Sequence, residues 1–245
     1  MRLLQYYFIP IFLFLFSSDL SAQFYLGIES GVSQNILNTN ISNQIDTKYS
    51  STFGFLLSVP IKFKIKSIFS INITPCIIQK NYSIKRTNLY NGLYNSFINN
   101  YLQTPIIGNI FIFQKYHITT LFETGLFIGY WKSSNFKGQI LNIYSAKDSL
   151  APSGQIIETL QTTNVSEKYH FNDNKDQRLE YGWMAGLLLE YEMLNRHELF
   201  LALRYYESLS DQQKKYMLNQ FSKYNQTTTL TIGYYFLSSL KKKNK

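Results

Sequence analysis

The sequence predicts an all-β protein, an eight-stranded antiparallel up-and-down transmembrane β-barrel. Three observations point there. Eight stretches alternate apolar and polar residues, the period of a strand whose successive side chains face opposite ways. Their joints alternate in length: short at Lys64–Ser67, Gln114–Tyr116 and Leu194–His197, long at Gln34–Ser51, Asn81–Asn99, Lys132–Gln177 and Ser210–Gln226. Beyond the first residues, no stretch stays apolar for the roughly 20 residues a membrane-crossing helix needs, although aromatic residues make up 17% of the chain. A sandwich in water has no reason to gather every long loop at one end. A closed barrel in an outer membrane does, with tight turns on the periplasmic side and long loops outside.

Residues 1–22 read as a secretory signal peptide. Arg2 is the only charge at the start, Leu3–Phe16 is apolar apart from Gln5, and Ser17–Ala22 is small and polar, which places cleavage after Ala22. An apolar core of roughly 14 residues is too short to anchor a spanning helix. The barrel domain is expected over 23–237, with a basic C-terminal tail at 238–245. One cysteine, Cys76, leaves no intramolecular disulfide and no cysteine metal cluster to form.

The strands follow in order. Phe24–Val32 puts Phe24, Leu26, Ile28 and Val32 on the lipid face and Tyr25, Gly27, Glu29 and Gly31 inside. Phe53–Phe63 alternates most cleanly, with Gly54, Leu56, Ser58, Pro60 and Lys62 inside. Ile68–Lys80 turns Ser70, Asn72, Thr74 and Cys76 inward, and Pro75, which has no N–H to give a ladder, predicts a bulge or a local gap. Tyr101–Phe113 sends Gln103, Pro105, Ile107 and Asn109 inward, and Ile118–Trp131 sends Glu123, Gly125 and Gly129. Leu179–Met193 carries Glu180, Gly182, Met184, Gly186 and Glu190 inside, Glu198–Ser208 carries Ala202, Arg204 and Tyr206, and Thr228–Phe236 carries Thr229, Thr231, Gly233 and Tyr235. Unmet backbone groups in hydrocarbon cost several kcal/mol each, so the eighth strand should pair with the first. Outward Phe53, Phe63, Tyr130, Tyr181, Tyr191, Tyr205 and Phe236 stand where interfacial girdles form.

A barrel of about eight strands is only wide enough for side chains to fill. Inward Glu29, Glu123, Glu180 and Glu190 therefore need a cation. Arg204, on the strand beside Glu180 and Glu190, is the expected partner. These five read as a structural polar network of the lumen rather than a proton path or catalytic set. The formal net charge of +9 is carried in part by Lys62, Lys64 and Lys66 and by Lys241, Lys242, Lys243 and Lys245, expected to flank the apolar band at the periplasmic face. Lys85, Arg86, Lys132 and Lys137 would face lipopolysaccharide phosphates outside. No zinc spacing, Gly-rich loop or recognition helix accompanies the basic residues, so no nucleic acid is expected as a partner.

Several runs resemble a known family. Ile73-Thr74-Pro75-Cys76-Ile77-Ile78-Gln79-Lys80 is similar to the third-strand motif L-x-P-E-L-x-Y-x-Q-K-G of PorT-like outer-membrane barrels, with Cys76 in place of Glu and Asn81 in place of Gly. Tyr101-Leu102-Gln103-Thr104-Pro105-Ile106-Ile107 resembles their Y-L-E-I-P-L-L. Gly125–Tyr130, Leu179–Gly182 and Leu203–Tyr206 resemble the fifth, sixth and seventh strands. The resemblance spans nearly the whole mature chain. It implies an outer-membrane barrel of the porin-like superfamily, some of whose members serve type IX secretion and gliding.

No enzyme, metal or cofactor is expected. His117 and His197 fall at short turns. His170 lies in the longest loop, the one candidate base if the barrel modified lipid A. The chain has no G-x-S-x-G elbow, phosphate loop or H-E-x-x-H motif. Function is expected in the loop from Lys132 to Gln177, too long for a plain connector. In it Gly138–Tyr144 and Gln155–Val165, parted by Pro152-Ser153-Gly154, predict an outward hairpin that continues the fifth and sixth strands. The expected role is a non-enzymatic, monomeric outer-membrane protein, structural or secretion-associated. Its partners would be lipid, lipopolysaccharide and secretion-system proteins. A narrow porin-like transport barrel is the alternative, and a lipid A-modifying enzyme stands behind it.

Overall fold

The computed structural model describes residues 23–40, 46–66, 68–88, 91–150, 154, 156–193 and 197–238. The expected signal peptide, 1–22, and residues 239–245 of the basic tail lie outside them. Among the described residues twelve strand segments form one antiparallel sheet. They are β1 (Gln23–Thr39), β2 (Thr47–Ser58), β3 (Ile61–Lys66), β4 (Phe69–Ile73), β5 (Cys76–Gln79), β6 (Tyr82–Arg86), β7 (Tyr94–Lys115), β8 (Ile118–Leu150), β9 (Ile156–Lys168), β10 (Leu179–Glu192), β11 (Glu198–Ser208) and β12 (Lys223–Ser238).

Twelve segments make eight staves. β2 and β3 form the second stave and β4, β5 and β6 the third, while β9 stands outside the ring and pairs with the long end of β8. Closure occurs where the energetics require it. β1 pairs with β12 from Phe24↔Ser238 to Thr39↔Lys223 and with β2 and β3 on its other side.

The breaks have local causes. Pro60, Pro75 and Pro105 stand at one level on three neighbouring staves. Gly27 donates to Pro60 O (2.8 Å), Val59 to Pro75 O (3.1 Å) and Thr74 to Pro105 O (3.0 Å). Proline has no N–H for the return bond, so each pair keeps one bond of two. The gap expected at Pro75 is therefore one of three aligned gaps. A trough of about 480 Å³ lined by Leu57, Val59, Pro75, Ile77, Leu102 and Tyr130 opens beside them. At Asn81 side chains continue the ladder: its Nδ2 donates to Phe53 O (2.9 Å) and its Oδ1 accepts from Asn99 N (3.0 Å).

Alternation settles which way each side chain points. Ile28, Phe53, Leu126 and Ile232 are 58, 68, 67 and 53% exposed on the outer wall. A belt of this kind is stable against lipid and not against water. Tyr130, Tyr181, Tyr191 and Phe236 lie on the same outer face. Inside, apolar layers fill the bore: Tyr25, Leu121, Leu188, Phe200 and Tyr235 toward the short-turn end, Ile107, Phe127, Met184 and Tyr206 in the middle, and Leu56, Ile78, Tyr101 and Trp131 toward the long-loop end. Gly186 and Gly233 supply width. A Cβ on Gly186 would lie 3.0 Å from the Arg204 side chain, and one on Gly233 would strike the Phe200 ring.

Two expectations are corrected. The staves run further than the apolar alternation does: β1 reaches Thr39, β2 begins at Thr47, β7 at Tyr94 and β12 at Lys223. Outside the bilayer the outward positions turn polar, so the hydropathy pattern fades while the backbone ladder goes on. The outward hairpin exists, but β8 and β9 build it, and β10 starts afresh after the connecting segment 169–178. Because β9 pairs among the described residues with β8 alone, protease added to intact cells should cut within residues 138–165 first. Resistance there, with cleavage elsewhere, would place the hairpin against another surface.

Candidate functional site

The bore holds three tiers of buried ion pairs, stacked from the short-turn end to the long-loop end. In the first, Lys62 Nζ donates to Glu190 Oε1 (2.6 Å) and Glu198 Oε2 (2.7 Å) and sits over the rings of Tyr25 and Tyr235. In the second, Arg204 Nε and Nη2 donate to the two oxygens of Glu123 (2.6 and 3.2 Å), while Nη1 donates to Glu29. Glu29 also accepts from Ser58 Oγ (2.7 Å) and Thr231 Oγ1. In the third, Lys80 Nζ donates to Glu180 Oε2 (2.7 Å), lies over Tyr101 and Phe127, and shares Glu180 with Asn225 Nδ2 (3.1 Å).

All five residues expected in the lumen are there, but the pairing differs. Arg204 does not meet Glu180 or Glu190. Register puts Arg204 opposite Gly186, and Gly186 opposite Glu123 on the next stave. With no side chain between them, the guanidinium reaches across the glycine to Glu123. Glu180 and Glu190 sit six residues before and four after Gly186, at the other two tiers. Sequence reasoning missed Lys80 and Glu198, and it put Lys62 on the inward face without giving it an ionic partner. Lys62 was expected at the periplasmic face and is instead only 1% exposed within the bore. The signal was present, since Lys62 falls on the inward phase of its own stave.

Above the third tier the bore widens into a chamber. Tyr101, Trp131 and Tyr169 lie nearly parallel, with centroids 5.9 and 6.0 Å apart, and Phe171 meets Trp131 edge-on. Tyr82 stacks on Phe97 at 4.9 Å. Two loop segments, 169–178 and 209–222, close over this floor and are stitched together: Gln177 N donates to Gln212 O (2.9 Å), Lys214 N to Lys175 O (2.9 Å) and Lys214 Nζ to Asp173 O (2.7 Å). Gln212 Nε2 ties the lid to the Tyr101 hydroxyl (2.9 Å). The cavity beneath measures about 210 Å³ and is lined by Tyr82, Phe97, Trp131, Ser134, Tyr169, Lys175, Asp176, Gln213, Tyr216 and Lys223 among others.

Asp176 accepts from the Tyr169 hydroxyl (3.0 Å) and the Asn172 N–H (2.7 Å). Burial, then that bond and the carboxylate's charge, push the Tyr169 hydroxyl up to about 12. Burial holds the Lys223 ammonium below the ordinary lysine value, against the opposing pull of Asp211 and Asp176. His170 is exposed on the lid segment, His117 is exposed at its turn, and His197 stacks on Tyr234 at 5.5 Å. The fold brings none of the three to the chamber lining.

A closed ring of antiparallel staves, apolar without and ionised within, defines a transmembrane β-barrel of the outer-membrane class. The chain belongs to the outer membrane protein beta-barrel domain family, whose model matches residues 16–213. β12, which completes the ring, lies beyond the match. Among solved structures the chain is similar to Neisserial surface protein A (9% identity, TM-score 0.40, covering 88% of this chain and 97% of that one). It is also similar to OprG from Pseudomonas aeruginosa (12%, 0.43, 89% and 97%) and to the protease OmpT from Escherichia coli (6%, 0.48, 90% and 99%). Likenesses this distant carry no functional information. No curated protein matches the chain.

Proposed function

We propose that this outer-membrane barrel is non-enzymatic and monomeric, of the PorT-like kind, and acts in type IX protein secretion through the surface at its long-loop end. The observation that carries the reading is the division of the molecule. The bore is packed with side chains and buried ion pairs, whereas the long-loop end is elaborated into a projecting hairpin and a stitched lid. A barrel built for flux would invest the other way. Lys85 and Lys132, exposed at the long-loop end, suit contact with lipopolysaccharide phosphates.

A deletion strain tests the secretion role. Surface export of type IX cargo should fall and return on complementation, and unchanged export would remove that part of the proposal. Affinity capture from detergent-solubilised envelopes should then recover secretion-system proteins, and capture should weaken when residues 138–165 are deleted.

One observation favours a narrow transport barrel as the second reading. Asn72 Oδ1, Thr74 Oγ1, Asn109 Oδ1 and Thr120 Oγ1 are buried in the bore without a partner among the described residues. Such atoms are ordinarily met by ordered water, and a file of water between the tiers would be the beginning of a path.

A further inference from the structure

The chamber under the lid carries more unused donors than a merely packed cavity would. Trp131 Nε1 and Ser134 Oγ belong to side chains 6% and 0% exposed and have no hydrogen-bond partner among the described residues. Gln213 Nε2 is likewise buried and unpartnered, while its own Oε1 accepts from Gln220 (3.3 Å). Leaving such a group unmet costs about 1–3 kcal/mol. The indole and amide nitrogens can only donate, and the serine hydroxyl can do so.

Charge points the same way. Lys175 and Lys223 line the cavity, and among the described residues no carboxylate lies within ion-pair distance of either ammonium. Each is placed over an aromatic ring instead, Lys175 over Tyr216 at 5.4 Å and Lys223 over Phe221 at 5.1 Å. The one carboxylate in the lining, Asp176, already accepts from Tyr169 and Asn172. Among the groups that line the cavity donors are therefore in excess and positive charge exceeds negative by one, Asp211 standing behind Lys223 outside the lining and accepting from its backbone N–H (3.0 Å), and the aromatic faces of Tyr82, Phe97 and Tyr169 supply an apolar wall. At about 210 Å³ the space equals that of roughly seven waters at about 30 Å³ each, the size of one sugar ring.

We propose that this chamber binds a small organic anion, a single-ring compound bearing one carboxylate or phosphate group. The anionic group sits between Lys223, Lys175 and the Gln213 amide, and the ring lies against the aromatic wall with Trp131 and Ser134 as further donors. Binding needs only the barrel and its lid. It stands apart from the secretion reading, so either fails without the other.

Fluorescence tests it directly, because the chain has two tryptophans and the second, Trp183, faces outward on β10. In a Trp183→Phe background the emission reports Trp131 alone. Folded protein in detergent is titrated with glucuronate, inorganic phosphate and neutral glucose. The expected result is a saturable change with at least one anion and none with glucose, and the anion that saturates first names the group bound. Lys223→Gln should weaken that binding about tenfold, the loss of one charged hydrogen bond. Lys175→Gln, on the exposed lid, should weaken it in the same direction and guards against a folding defect at Lys223. A response to glucose equal to that of the anions overturns the proposal. So does the absence of any saturable response, which would leave water as the sole occupant, and so does unchanged affinity in both folded lysine variants.

Discussion

Replacing Arg204 by methionine should lower the unfolding free energy by about 3–5 kcal/mol, the cost of stranding buried carboxylates. Arg204 is 1% exposed and is the cation of both Glu29 and Glu123, themselves 2% and 0% exposed. Thr231 and Ser58 would still donate to Glu29, so the larger share of the loss falls on Glu123. Adding Glu29→Gln and Glu123→Gln to Arg204→Met should restore most of the stability, since a neutral hydrogen-bonded core needs no counter-ion. Urea titration of the folded, gel-shifted form checks both variants. A single variant within about 1 kcal/mol of the parent would mean that water, rather than a dry ion pair, fills the middle of the bore.

The second large effect is expected at the short-turn end. Lys62 is shared between Glu190 and Glu198 at 2.6 and 2.7 Å. Lys62→Met leaves two carboxylates facing one another in the bore. A loss near the lower end of the same range, about 3 kcal/mol, is expected. A small cavity lined by Lys62, Lys64, Glu190, Glu192 and Glu198 lets solvent approach this tier more closely than the middle one. The companion Glu190→Gln change should recover stability in the Lys62→Met background and reduce it in the parent. Such a reversal of sign is the mark of coupled charges and is measured by a double-mutant cycle. Equal effects in the two backgrounds would separate Glu190 from Lys62.

These pairs also mark how far the chain could be read before folding. Which residues enter the bore follows from a period of two, and Glu29, Glu123, Glu180, Glu190 and Arg204 all stand where that period puts them. Which of them touch depends on register between staves, and register is set by turn geometry and long-range pairing. Proximity on one strand pair suggested Arg204 with Glu180 and Glu190. The missing side chain of Gly186 redirects it to Glu123, two staves away. Lys62 was hidden differently: three lysines two apart near a turn look like a solvated flank, and because all three share one phase, only the greater distance of Lys62 from the turn separates it from a surface charge.

The chamber was the least legible part. Its residues come from β6, β7, β8, β12 and two loop segments, more than 130 residues apart between Tyr82 and Lys223 (82 to 223). No local spacing announces a site assembled this way. The long loops were recognisable as places for function by length alone, but the stitching of 169–178 to 209–222 depends on backbone hydrogen bonds such as Gln177 to Gln212, which leave no mark on composition. The aligned prolines Pro60, Pro75 and Pro105 belong with them, since their common level is a property of register.

Conductance of the purified barrel in a planar lipid bilayer tests the central claim, a bore closed by stacked ion pairs and apolar layers. The wild-type protein should insert and leave the current at the level of the bare membrane, with no stepwise openings in potassium chloride at moderate voltage. A stable unitary conductance that scales with bulk electrolyte would show an open aqueous pore through the barrel, and the filled core described here would be wrong.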